Sequence, residues 1–145
     1  MHDRDWIMGV LPHRPPFLLL DRVTELEPGV AATAEYLVRP DDSVLAGHFP
    51  GHPVFPGVLI IEALAQTGAV AILSAENFRG KLAFFGGIDR CRFRQQVRPG
   101  DRLRLEVRLD RVRGPAGRGT GRALVDDRLV AEAEMLFVLG DRSQS

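Results

Sequence analysis

Three residues within a short span have types that could do proton chemistry together: His48, Gly57 and Glu62. They lie in "GHFPGHPVFPGVLIIEALAQ", residues 47–66. Glu62 is the one charged side chain between His52 and Glu76, inside the most apolar stretch of the chain. A carboxylate taken out of water must find a partner or keep its proton. Two readings follow. Glu62 is either a structural acid satisfied by an arginine or a backbone donor, or a working acid held in its protonated form. His48 alone would be an ordinary loop histidine. Its setting is not ordinary, because Gly47, Pro50, Gly51, Pro53, Pro56 and Gly57 restrict the backbone or let it approach something closely. Such stiffness suits positioning, which acid–base catalysis demands. Gly57 opens the apolar run and offers a backbone N–H at the positive end of a helix. A donor there can polarise a carbonyl and hold an enolate-like oxygen. Base, acid and donor form a set for removing a proton next to a carbonyl.

The elements that must position this set can be read from pattern. Residues 57–73 predict one long helix, with Pro56 at its entrance, where proline is tolerated. Leu59, Ile60, Ala63, Leu64, Val70, Ile72 and Leu73 occupy every side of its wheel, so the helix should be buried all round, by a curled sheet and by a second subunit. A shorter helix is expected at Trp6 to Val10. "FLLLDRVTELEPG" reads as a strand ending at Pro28-Gly29, and "VAATAEYLV" as its partner. Residues 39–57 form a proline- and glycine-rich loop. Beyond Gly80 come "KLAFFGGIDRCRFRQQV", a turn at Pro99-Gly100-Asp101, and "RLRLEVRLDRVRG". "GPAGRG" reads as a flexible break, and "TGRALVDD" with "RLVAEAEMLFVL" as a closing hairpin turning at Asp126-Asp127. One long helix with five or six tightly linked strands predicts an α+β domain on an antiparallel sheet.

Composition narrows the classes. A chain of 145 residues with 45% hydrophobic content suggests one domain, residues 1–145, with a real core. Net charge is +0, so no global field favours nucleic acid or a membrane surface. The longest apolar run, Val58 to Leu73, carries Glu62 and Gln66 and is shorter than the ~20 residues a bilayer needs. No secretory signal opens the chain, and a cytoplasmic protein is the expectation. The single cysteine, Cys91, predicts no internal disulfide and is expected as a small buried hydrophobe. Neither a metal-ligand cluster nor a dinucleotide motif is present, so no cofactor is expected.

The 47–66 stretch resembles the active-site segment of the β-hydroxyacyl-acyl carrier protein dehydratases of type II fatty-acid synthesis. "LPHRPPFLLLDRV", "GGIDRCRFRQQVRPGDRL" and "ALVDDRLVAEAEM" resemble further motifs of that family, in the same order. The resemblance implies a hotdog fold, a curved antiparallel sheet wrapped round one helix. It also implies a homodimer with interfacial active sites, sometimes a trimer of dimers. Residue by residue, it makes His48 the base on C2 and Glu62 the acid for the C3 hydroxyl, given by the other subunit. Gly57 N–H would hold the thioester carbonyl, the Val54 carbonyl would orient the histidine, and Gln66 would support the carboxylate. Glutamate rather than aspartate at position 62 favours plain dehydration over the sister activity that also isomerises the double bond.

Phe17, Phe84, Phe85 and Phe93 are candidate walls for an acyl tunnel, although any one could be an ordinary core aromatic. Ala83 and Phe84 stand where the family often has a gating tyrosine. "DDSVLAGHFP" also departs from its pattern, so chain-length preference or carrier could differ. Arg90, Arg92 and Arg94 alternate, which on a strand puts them on one face, and Arg98 follows. They are either a solvated face or a dock for an acidic acyl carrier protein. His2, His13 and His52 offer no chemical case beyond packing or exposure. Other readings are a dehydratase or hydratase for coenzyme A or polyketide thioesters, a hotdog thioesterase, and a non-catalytic acyl-binding paralogue.

Overall fold

The computed structural model describes residues 1–42, 45 and 51–141, with the side chain of Arg111 excepted. His48 lies outside the described residues, with the rest of 43, 44 and 46–50 in the loop before the long helix.

The chain begins with helix α1, Arg4–Val10. It starts two residues earlier than expected because Asp3 caps it, accepting the Trp6 N–H at 3.0 Å. Strands β1 (Arg22–Glu27) and β2 (Ala31–Leu37) follow as a hairpin. Its turn is the expected Pro28-Gly29, with Gly29 at φ +79° and Val30 N–H donating to Glu27 O at 2.9 Å. Helix α2 spans Gly57–Leu73. Strands β3 (Lys81–Phe93), β4 (Arg102–Arg113), β5 (Ala116–Val125) and β6 (Arg128–Asp141) complete one antiparallel sheet in the order β1-β2-β4-β5-β6-β3. Helix α2 touches all six strands, which curve around it as the hotdog expectation requires.

Two glycines let helix and sheet approach this closely. A Cβ at Gly68 would lie 2.6 Å from Cζ of Phe137, and one at Gly121 would lie 2.9 Å from Cε of Met135. Phe137 is buried and stacked on Phe85, so its ring has little room to yield. Gly68→Ala should therefore lose about 1–2 kcal/mol, because overpacking outweighs the ~1 kcal/mol by which alanine favours a helix. A lowered urea midpoint at unchanged m-value checks this.

Several expectations need correction. The strand expected from Phe17 begins only at Arg22. Leu18, Leu19 and Leu20 are all buried, but side chains hold their backbone. Arg4 donates to the carbonyls of Leu18 (3.0 Å) and Leu20 (3.1 Å), and Leu19 N–H donates to Gln66 Oε1 (2.8 Å). "GPAGRG" is not a flexible break, since only Gly114-Pro115 turn and residues from Ala116 onward pair with β4 and β6. Cys91 is exposed, not buried. It sits at a bulge of β3, and partial desolvation raises its thiol pKa, opposite to what a nucleophile needs. The expected burial of α2 by sheet and second subunit needs no such correction: within one chain most of the helix is buried, and Val58 in its first turn is 72% exposed. The Asp126-Asp127 hairpin is as read, with φ +49° and +63°, both left-handed as a two-residue type I′ turn demands.

Candidate active site

Glu62 lies on the second turn of α2, partly buried, and a single glutamine ties it to the segment before β1. Gln66, one helical turn further on and 1% exposed, donates from Nε2 to Glu62 Oε2 at 2.9 Å. The same amide donates to Phe17 O (2.9 Å), while its Oε1 accepts the Leu19 N–H. The orientation of this amide is thus set by backbone partners 47 and 49 residues away. Gln66 fastens the segment after Pro16 onto the helix and draws the preceding His13 over the carboxylate. His13 Nε2 stands 3.6 Å from Glu62 Oε2.

Around this group lies a cavity of about 200 Å3, lined by His13, Phe17, Glu62, Ala65, Gln66, Ala69, Ala83, Phe84, Phe85 and Phe137. Three of the four phenylalanines expected as acyl walls, Phe17, Phe84 and Phe85, meet here. Ala83 lines it too.

Gly57 and Val54 are elsewhere. They line a separate cavity of about 450 Å3 with Phe55, Val58, Phe93 and Val97. Among the described residues no side chain caps the first turn of α2; the Leu59 and Ile60 N–H groups donate to Pro56 O, and those of Gly57 and Val58 stand at the head of the helix. Glycine also lets the Phe93 ring lie against the helix start, since a Cβ would stand 2.7 Å from it as the ring is placed. Phe93, the fourth candidate wall, belongs to this cavity and not to that of Glu62. The structure thus places the acid and the helix-start donor in different cavities of one chain.

The arginines do not follow simple alternation. A bulge separates Asp89 from Arg92 in the pairing with β6, and Arg90 takes φ +49°. Arg90 and Arg94 still reach outward to β6 glutamates, Glu134 at 3.2 Å and Glu132 at 2.7 Å. The Arg98 guanidinium donates to Gln96 Oε1 at 3.3 Å.

His13 was not expected here. No local pattern joins position 13 to position 62; the Gln66 amide does so through the fold. Burial lowers the His13 pKa from 6.5, with Glu62 raising it and Arg14 lowering it. In the unfolded chain it protonates first on acidification, so the folded state should lose stability as pH falls below 6.5. Denaturant midpoints between pH 7.5 and 5 should drop more steeply for the wild type than for His13→Gln. Among the described residues no three His, Cys, Asp or Glu come together in a way that could hold a metal ion. No helix of the described residues is long and apolar enough to cross a membrane.

The family model described as a FabA-like domain matches residues 11–134. A curated relative named "3-hydroxyacyl-[acyl-carrier-protein] dehydratase FabZ", from Geobacillus sp. (strain WCH70), is 56% identical over 142 residues, 98% of each chain. One of the same name from Roseiflexus castenholzii (strain DSM 13941 / HLO8) is 59% identical over 133 residues, 92% of this chain and 93% of the relative. Among solved structures, "The Dehydratase Heterocomplex ApeI:P from Xenorhabdus doucetiae" superposes with a TM-score of 0.81 at 18% identity, covering 94% of this chain and 92% of that one. The TT0310 protein from Thermus thermophilus gives 0.64 at 21%, covering 87% and 98%. At such identities the structural likeness is one of fold.

Proposed function

Since this chain belongs to the FabA-like domain family, we propose that it carries out the reaction for which its FabZ relatives are named. It removes water from a 3-hydroxyacyl group on acyl carrier protein and leaves the trans-2-enoyl thioester. The observation that carries this reading is Glu62 on a buried helix, its Oε2 occupied by Gln66, facing a cavity walled by phenylalanines. His48 takes the C2 proton, and that electron pair forms the C2–C3 double bond. The C3–O bond breaks, and the hydroxyl leaves as water with the proton of Glu62. Gly57 N–H stabilises the charge on the thioester oxygen during the step, and the Val54 carbonyl orients His48.

The separation of Glu62 from Gly57 supports a site assembled from two subunits. So does the edge of the sheet. Among the described residues strand β3 has no neighbour beyond it, yet Phe84 (53%), Phe85 (40%), Ile88 (43%) and Phe93 (53%) are exposed along it. A long apolar edge strand is a pairing surface. We read it as the contact between two copies, which brings the Gly57 side of one chain to the Glu62 cavity of the other. Such dimers can stack further into hexamers.

The acidic carrier would be steered by Arg90, Arg92, Arg94 and Arg98. With Arg90 and Arg94 engaged by glutamates, Arg92 and Arg98 are the guanidinia without a carboxylate partner among the described residues. No cofactor, nucleic acid or membrane enters the reaction, and a reduced lone cysteine with a carrier-bound substrate fits the cytoplasm.

Turnover tests the reading directly. Short and long 3-hydroxyacyl thioesters, on carrier protein and on coenzyme A, should give the enoyl product, fastest on carrier protein. Release of free thiol instead would make the protein a thioesterase. No turnover on either carrier would make it a binding paralogue.

A further inference from the structure

Among the described residues, the His13 imidazole is a titratable group beside Glu62 that the reaction as described does not use. Its ring is half-buried and stacked parallel to Phe17 at 6.5 Å. Nδ1 is buried with no hydrogen-bond partner among the described residues, while Nε2 faces Glu62 Oε2 at 3.6 Å. A buried N–H without an acceptor is costlier than a lone pair without a donor, so the proton belongs on Nε2. That N–H aims at the oxygen that already accepts from Gln66. At 3.6 Å it lies just beyond hydrogen-bond range, a gap of the kind that closes when substrate fills a site.

The ring is held in place from behind. Arg14 donates to Leu11 O (2.9 Å) and His13 O (2.8 Å), and Phe17 N–H donates to Arg14 O (2.9 Å). Its guanidinium and the Glu62 carboxylate are the charged groups that act on the imidazole, and with burial the dominant influence it stays uncharged at neutral pH.

We propose that His13 is a positioning residue for Glu62: with the Gln66 amide it marks Oε2 as the acceptor and leaves Oε1 to carry the acid proton toward the substrate. Two donors on one oxygen exclude a proton from it, so a protonated Glu62 has a defined O–H direction. One donor would fix the carboxyl plane less firmly, and productive encounters would fall without any loss of substrate contact. The inference rests on the dehydratase reading.

The test uses the full chain and a 3-hydroxyacyl-carrier thioester. His13→Phe keeps the stack on Phe17 and most of the volume but removes the donor. Its kcat should fall on the order of 10- to 100-fold with KM within about twofold. His13→Gln returns an N–H near the position of Nε2 and should recover most of the loss. Packing alone would give the reverse order, Phe being the better filler. Wild-type kcat in His13→Phe, or His13→Gln as slow as His13→Phe, would overturn the proposal. Should His13→Phe not fold, His13→Gln is compared with the shorter His13→Asn, and equal rates would overturn it. An inactive wild type would instead overturn the dehydratase reading and this inference with it.

Discussion

Glu62→Gln should lower kcat by about 10²- to 10⁴-fold, the usual worth of a general acid or base, while KM and unfolding midpoint stay near wild type. The geometry explains the separation. Gln66 donates to Oε2 of residue 62 and asks only for an acceptor there. A glutamine carbonyl oxygen satisfies that demand as well as the carboxyl does, so the side chain keeps its plane and the segment from Phe17 to Leu19 stays fastened. What changes is the other atom, an amide nitrogen where Oε1 was. It can form a hydrogen bond to the C3 hydroxyl but cannot give a proton away. Hydroxide would then have to leave unaided. Carrier-thioester kinetics with a melting curve on the same sample check both halves. A wild-type rate would remove Glu62 from the chemistry.

Ile88→Asp should convert the protein to a monomer and abolish most of its activity, although residue 88 lies in neither cavity. Ile88 pairs with Met135, whose side chain is buried on the helix side of the sheet. Ile88 therefore looks toward the same side, yet it is 43% exposed because none of the described residues covers the β3 edge. A carboxylate there costs the isolated chain little, since the site is already open to water. Across a subunit contact the same carboxylate must be desolvated without a partner, which costs several kcal/mol. Light scattering should report half the wild-type mass or less, circular dichroism an unchanged fold, and the dehydration assay a loss of about 100-fold or more. A fully active monomer would mean that one chain holds a whole site.

How much of this was legible in sequence depended on the range of the forces involved. Local signals were read correctly where the chain itself is decisive. Pro56-Gly57 opens α2, Pro28-Gly29 turns β1 into β2, and Asp126-Asp127 makes the last hairpin. Glu62 drew notice for a different reason, because a lone acid in an apolar helix conflicts with burial. Reading failed where distant side chains decide. Leu18 to Leu20 look like a strand, but Arg4 and Gln66 claim their backbone. The glycines of "GPAGRG" look flexible, but Gly119 is flanked by β4 closely enough that a Cβ would stand 3.2 Å from Arg108 O. Cys91 looked like core, but a bulge and an open edge expose it. His13 is the plainest case. Its neighbour Glu62 is 49 positions further along the chain, and long-range contacts such as those of the Gln66 amide bring them together.

On the proposed two-subunit site, His48 and Glu62 of one chain serve different sites. Mixing two inactive proteins tests it most directly. His48→Ala and Glu62→Gln are each purified, combined in equal amounts under conditions that exchange subunits, and assayed. Random pairing makes half of the dimers mixed, and each mixed dimer holds one site with both native residues, so activity should return to about a quarter of wild type. If subunits exchange, as a tag pull-down would verify, and activity stays at the level of the separate variants, both residues act within one chain and the two-subunit site is wrong.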